Sequence, residues 1–318
     1  MATRFETGRG DQVAPSLPMT EKGAAFRRLK DRAAAAVMAV PSVLVIGLVL
    51  AITLALVVKA LPILSTKSLA HLLLSSSWHP LRGEFGFYAF IIGTLSVTGL
   101  AMAISVPISI LTAIFFAEYA GRRLRAVAKP LVDLLAGIPS VVYGLFGVLA
   151  IVPVVGALGA RFSDNPTGYS VLAGGIVLSI MVFPIIISVA EEVMRSVPRE
   201  AREASLALGA TKWQTVRHVV VPSALTGLVA AVVLGFARAF GETMAVLMVV
   251  GNVVKVPHSI FDAAYPLPAL IANNYGEMMS IRLYDGAIML AALLLLVVVL
   301  VFNVAAAIVL QRVARRVA

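Results

Sequence analysis

Residues 203–222 read Glu203-Ala-Ser-Leu-Ala-Leu-Gly209-Ala-Thr-Lys-Trp-Gln-Thr-Val-Arg-His-Val-Val-Val-Pro222, a polar island between two long apolar segments. Glu203-Ala-Ser-Leu-Ala-Leu is strong helix-forming sequence. Gly209 suits the left-handed residue that ends a helix, and Pro222 is well placed to begin the next segment. The spacing predicts a short helix, a sharp turn and a second helix.

The surroundings of this island place it at a membrane. The chain has 318 residues, of which 60% are hydrophobic and 13% charged, with a mean hydropathy of +0.98. So much apolar surface exceeds what one soluble core can bury and belongs in a bilayer. Charge-free runs long enough for the about 20 residues of a spanning helix lie on both sides of the island. The expected architecture is an all-α membrane protein with six transmembrane helices, at about 33–58, 88–117, 134–160, 169–190, 223–251 and 286–311. A basic tail is expected over residues 1–32, with a short helix near 24–32, and a transmembrane domain over 33–318. The first apolar run is longer than the about 7–15 residues of a signal-peptide core, so it is expected to remain as a span.

Orientation follows from Lys and Arg, which tend to stay on the cytoplasmic side. With the N-terminus inside, cytoplasmic segments hold 19 of the 26 basic residues: seven before Ala33, four at 122–129, five at 195–217 and three at the C-terminus. External loops hold six, and Arg238 is left in the membrane. Both termini and the 191–222 loop are therefore expected in the cytoplasm. The net charge of +10 sits mostly on that face beside anionic lipid, and no basic folded soluble domain exists to suggest nucleic acid. Cysteine is absent and His71, His79, His218 and His258 are scattered, which argues against thiolate or histidine metal centres. No G-x-x-x-x-G-K-[ST] phosphate cradle occurs, so the chain is not expected to be an enzyme or to hold a cofactor itself.

Glu203, Ala204, Gly209 and Pro222 fill the positions of a motif that resembles the "EAA" loop of ABC importer permeases. Ser205 stands where the family has Ala, and Val219 where it usually has Ile. The resemblance implies a type I ABC importer permease architecture and a loop, 191–222, that docks an ATPase subunit in which ATP is bound. An ordinary loop helix is the alternative. Three further stretches resemble the C-type permease of bacterial phosphate-specific (Pst) importers. They are Trp78-His79-Pro80 with Phe85-Gly86 in an external loop, Gly137-Ile-Pro-Ser-Val-Val-Tyr-Gly-Leu-Phe-Gly147 at the third span, and Arg238-Ala-Phe-Gly-Glu242-Thr243-Met244-Ala-Val in the fifth.

The residues of these runs have readings of their own. Pro139 tends to kink a helix, and freed backbone at membrane depth is tolerated where protein or a water-filled path receives it. Gly144 and Gly147 equally suit close helix packing, and packing is the expectation for Gly174-Gly175. The resemblance adds a pathway role for Ser140 and Tyr143. Arg238 and Glu242 are the only ionisable residues in the body of any expected span. Four apart on a helix, they share a face and can pair. Charges in hydrocarbon mark transport paths by default, and an arginine fork suits an oxyanion; a structural lock between helices is the other reading. Thr243 joins them by resemblance.

Together these resemblances imply the permease subunit of an ATP-driven importer of inorganic phosphate in a bacterial cytoplasmic membrane. The family implies a second, A-type permease, two ATPase copies and an external phosphate-binding protein. A permease for sulfate or molybdate is the nearer alternative. An ion-gradient transporter without an ATPase is the further one. The Val256 to Tyr284 stretch, with Pro257, Pro266, Pro268, Asn273 and Asn274, is expected as an external loop with short helical pieces.

Overall fold

The structure is a computed structural model that describes residues 21–161, 167–277 and 282–317. Residues 1–20 of the expected tail lie outside the described residues. The chain divides into two units, residues 1–54 and 55–318. In the first, helix α1 (Glu21–Thr66) begins well before the expected first span, and the separate short helix near 24–32 is part of it. Residues 30–52 are exposed throughout, which suits an apolar helix whose outer face meets lipid.

The second unit contains the end of α1, α2 (Leu69–Leu74), a small hairpin of β1 (Trp78–His79) and β2 (Glu84–Phe85), α3 (Tyr88–Ile114) and α4 (Arg122–Gly137). It continues through α5 (Ser140–Phe146), α6 (Val152–Gly159), α7 (Val171–Ser196), α8 (Arg199–Ala207), α9 (Lys212–Thr215) and α10 (Val221–Gly241). It closes with α11 (Met244–Val249), α12 (Leu267–Asn274) and α13 (Arg282–Val317). Among the described residues six helical runs are long and apolar enough to cross a membrane: 30–66, 88–119, 140–159, 171–196, 212–241 and 283–312.

α3, α7 and α10 form the central core, with Ala101, Leu178, Val182, Ile186, Leu228 and Ala231 at their contacts. α3 and α7 make the most extensive pair. Small residues allow this approach, as expected between membrane helices: a Cβ on Gly175 would come within 2.9 Å of Leu100, which supports the packing reading of Gly174-Gly175.

On the expected external side a second cluster joins the end of α1, α2, the hairpin and α12. Trp78 lies edge-on to Phe85, Phe87 and Phe90, with ring centroids 5.1–5.6 Å apart. Trp78 pairs with Phe85 across the antiparallel hairpin, and a Cβ on Gly86 would overlap the Ser75 carbonyl. The Trp78 to Gly86 motif therefore builds this aromatic plug. The 256–284 stretch does contain a helical piece, α12, and packs its residues 264–270 into the core.

Three wide π-turns, Phe115–Tyr119, Gly147–Ile151 and Val216–Val220, interrupt the spans. Two end two positions ahead of prolines, Pro153 and Pro222. A proline ring clashes with the carbonyl four residues earlier, and a π-turn widens the backbone at that place. α9, the turn and α10 thus form one run, 212–241, and Pro222 sits inside it. Pro222 is the second residue of α10, in its first turn, as expected of a proline that opens a helical segment, although the π-turn joins that segment to α9 in one run.

Candidate functional site

The polar insert folds as a helix–turn–helix. α8 ends at a tight turn in which Gly209 has φ +85°, the left-handed region that favours glycine. Thr211 and Gln214 then cap α9 reciprocally: the Thr211 side chain accepts from the Gln214 N–H at 3.3 Å, and Gln214 Oε1 accepts from the Thr211 N–H at 2.8 Å. Ser205 is more than a small variation on alanine. Its hydroxyl lies 3.0 Å from that of Thr215 and clasps α8 to α9. Glu203, Ala204, Gly209 and Pro222 are all exposed. So are Leu206, Leu208 and Trp213, with Leu208 at 90%, an apolar knob on an otherwise polar element.

Sequence reasoning missed what holds this insert. Arg202 donates to the Met194 carbonyl at 2.7 Å and to that of Val197, and lies 2.9 Å from Glu118. Glu118 belongs to the π-turn at the end of α3. Beside it, Arg125 of α4 donates to the carbonyls of Phe116, at 2.9 Å from Nε, and Ala117, at 3.2 Å. Arg125 and Arg195 also share Glu191, at 3.6 and 3.5 Å, whose side chain is 3% exposed. These ties bind α3, α4, α7 and α8 at one end of the bundle. Glu118 is 84 positions from Arg202, a separation at which local sequence carries no signal.

The second constellation lies where two spans break. The third span was expected from residue 134 with a kink at Pro139. In the structure α4 runs to Gly137, Ile138 and Pro139 are extended, and the span starts at Ser140. Tyr143, 6% exposed, donates its hydroxyl to the Leu135 carbonyl at 2.8 Å and latches α5 to α4 across the break. Ser140 is half-buried at the first turn of α5.

The fifth span was expected as one helix over 223–251, with Arg238 and Glu242 on one face. α10 instead stops at Gly241, Glu242 is extended (φ −78°, ψ 122°), and α11 starts at Met244. Arg238 and Glu242 do not pair, which corrects the expectation of a helical i, i+4 pair. Each sits at the helix end whose dipole suits its charge. Arg238 occupies the last turn of α10, and Glu242 precedes α11, where its Oε1 accepts weakly from the Ala245 N–H at 3.5 Å. Thr243 Oγ1 lies 3.5 Å from the Gly241 carbonyl.

The two broken spans lie side by side. A Cβ on Gly144 would come within 2.6 Å of Met248 Sδ, and one on Gly147 within 2.7 Å of Val249. These glycines are therefore packing residues, and the contact order makes α5 and α11 parallel. The breaks at 138–139 and 242–243 fall within about one helical turn of the same depth. Arg238 is exposed, within electrostatic reach of Tyr143, and lines a crevice of about 520 Å³ with Ala136, Pro184, Ser188 and Leu234. Ser188 was not singled out in the sequence, where one serine in an apolar helix carries no signal. Among the described residues no group of three or more His, Cys, Asp or Glu side chains could hold a metal ion.

Residues 105–318 match the family described as "Binding-protein-dependent transport system inner membrane component". The chain is 44% identical over 240 residues to the probable ABC transporter permease protein YqgH of Bacillus subtilis, covering 74% of this chain and 76% of that one. It is 36% identical over 257 residues to the phosphate transport system permease protein PstC of Xylella fastidiosa, covering 76% and 79%. Among solved structures, the fold resembles that of a bacterial ABC transporter for import of the acidic polysaccharide alginate, with a TM-score of 0.57 at 15% identity, covering 91% of this chain and 99% of that one. It also resembles the inward-facing MetNI methionine ABC transporter, with a TM-score of 0.53 at 21% identity, covering 74% and 95%. The all-α fold with six membrane-spanning helices is thus that of type I ABC importer permeases, and the chain belongs to the binding-protein-dependent transport system inner membrane component family as an ABC importer permease subunit.

Proposed function

We propose that the chain is the C-type permease of an importer of inorganic phosphate, set in a bacterial cytoplasmic membrane with both termini inside. Its partners are a second, A-type permease, two copies of an ATPase subunit and an external phosphate-binding protein. The similarity to relatives named as phosphate permeases supports the cargo. Arg238 carries the reading: it is a permanently charged fork at a break in a span, with no ion-pair partner among the described residues. Such a group donates paired hydrogen bonds to a tetrahedral oxyanion. Irregular backbone at membrane depth belongs beside a cavity or pathway, and two broken spans meet next to it. Ser140, Tyr143, Glu242 and Thr243 shape that place, with Tyr143 holding its geometry through Leu135.

The insert is the proposed ATPase contact. Exposed Leu206, Leu208 and Trp213 offer apolar anchors beside exposed Glu203, and Arg202 fixes the insert to α3 and α7. ATP-driven movement of the partner would reach the spans through these ties. Uptake of labelled phosphate by the reconstituted four-component transporter, with sulfate or molybdate as competitor, tests the cargo. The proposal expects only unlabelled phosphate to compete; preferential accumulation of sulfate or molybdate rejects it.

A further inference from the structure

Five basic side chains from two distant parts of the sequence converge on one groove. Arg122, Arg125 and Lys129 come from α4, Arg195 from the end of α7 and Arg199 from the start of α8; Asp133 is the one acidic residue lining it. Glu191 lies beneath and is shared by Arg125 and Arg195. Arg122, Lys129 and Arg199 have no carboxylate partner among the described residues. Five cations thus face two carboxylates. Like charges gathered in a concavity repel one another unless an anion lies between them, and sidedness alone would not draw residues 122–129 and 195–199 into the same groove.

We propose that this groove is a binding site for a phosphate group. Arginine forks and a lysine ammonium are the usual partners of phosphate oxygens. Arg125, already held by the Phe116 and Ala117 carbonyls, supplies fixed charge, while Arg122, Lys129 and Arg199 are free to donate. The group belongs either to an anionic phospholipid or to free inorganic phosphate. The lipid source has its own support: α4 also exposes Leu124, Val127, Leu131 and Leu134, and a helix that is both basic and apolar suits a headgroup boundary. The site rests on the proposed cytoplasmic orientation and not on which anion is transported.

The test uses the purified complete transporter, as wild type and with Lys129→Gln and Arg199→Gln together. Both side chains are exposed, so the fold should survive. One arm measures retention of phosphatidylglycerol by native mass spectrometry. The other measures inorganic phosphate binding to delipidated transporter at constant ionic strength. Loss of two charge-assisted contacts should weaken binding about ten-fold or more in one arm. A loss in the first arm identifies lipid as the source, and a loss in the second identifies free phosphate. The phosphate arm is run without the external phosphate-binding protein and in an Arg238→Gln background, which removes the proposed transport-path contact, so that the phosphate still bound reports on the groove. Unchanged binding in both arms overturns the site. So does an equal loss on neutralising Lys59 and Lys67, which lie away from the groove, because it would reduce the effect to net charge. A transporter that prefers sulfate yet passes this test would refute the cargo and leave the groove standing.

Discussion

Arg202 and Glu118 meet at 2.9 Å although 84 positions separate them, and their contact fixes the polar insert to the end of α3. The side chains are 18% and 10% exposed, enough burial for the pair to hold position and not merely decorate a surface. Losing one partner leaves the other buried and unpaired. Arg202→Ala also releases the Met194 and Val197 carbonyls. It is expected to lower stability by about 1–3 kcal/mol, seen as a lower unfolding temperature of the purified complex, and to weaken substrate-stimulated ATPase activity beyond what basal activity loses. Arg202→Lys should restore part of the stability and less of the coupling, because lysine cannot reach Glu118 and two carbonyls as a planar fork does.

Gly209 separates backbone from side-chain effects. Its φ is +85°, and a Cβ there would meet nothing within 4 Å, so any penalty comes from the left-handed backbone alone. Gly209→Val is expected to cost about 1–2 kcal/mol and to disturb the turn, whereas Gly209→Asn should be much milder. Glu203→Lys leaves the turn intact and reverses one exposed charge. If the insert docks the ATPase, both Gly209→Val and Glu203→Lys should reduce copurification of that subunit. Full copurification with normal uptake in both would reject the docking role.

The chain has no cysteine, so labelling can read its orientation without background. Ser76 and Thr211 are both exposed. A Ser76→Cys variant should react with an impermeant maleimide in intact cells, and Thr211→Cys only after the membrane is opened. The reverse pattern would place the insert outside and remove the docking proposal.

Asp262 provides a pH signature. Burial alone would raise its pKa, but the backbone N–H groups of His258 and Ser259, each 2.9 Å from Oδ2, outweigh it and hold the carboxyl below its ordinary value. The loop in turn accepts from the N–H groups that begin α7, through the Asp262 and Ile260 carbonyls. A depressed carboxyl stabilises the fold above its unfolded pKa of about 4 and loses that contribution as pH falls through the lower folded value. Thermal stability should therefore drop on acidification below about pH 4, and Asp262→Asn should flatten that part of the profile.

The spans and the helix–turn–helix were legible because each rests on local composition: charge-free length, a strong helix former, and a glycine where the chain must turn. The break before Ser140 was half legible. Pro139 announced a disturbance, but a full stop with an extended Ile138 depends on α4 lying as a separate helix against α7, held by Arg125 and Glu191. No proline marks the break at Glu242 and Thr243. It arises where α11 packs against α5 and α7 through Ala245 and Val249, a tertiary demand that helical spacing cannot reveal. The pairing expected for Arg238 and Glu242 failed for that reason. The Arg202–Glu118 contact was illegible because nothing local links its partners.

Arg238 is the point on which the account turns, and phosphate uptake by Arg238→Gln in the reconstituted transporter tests it most directly. Glutamine keeps much of the side chain's length and polarity while removing the charge. Arg238 is exposed, makes no ion pair among the described residues and leaves Glu242 capped at α11, so assembly and basal ATPase activity should persist. The account predicts that uptake is abolished in Arg238→Gln and reduced only mildly in Glu242→Gln. Near wild-type uptake by an assembled Arg238→Gln transporter would contradict it and leave Arg238 as a helix-end charge with no part in anion passage.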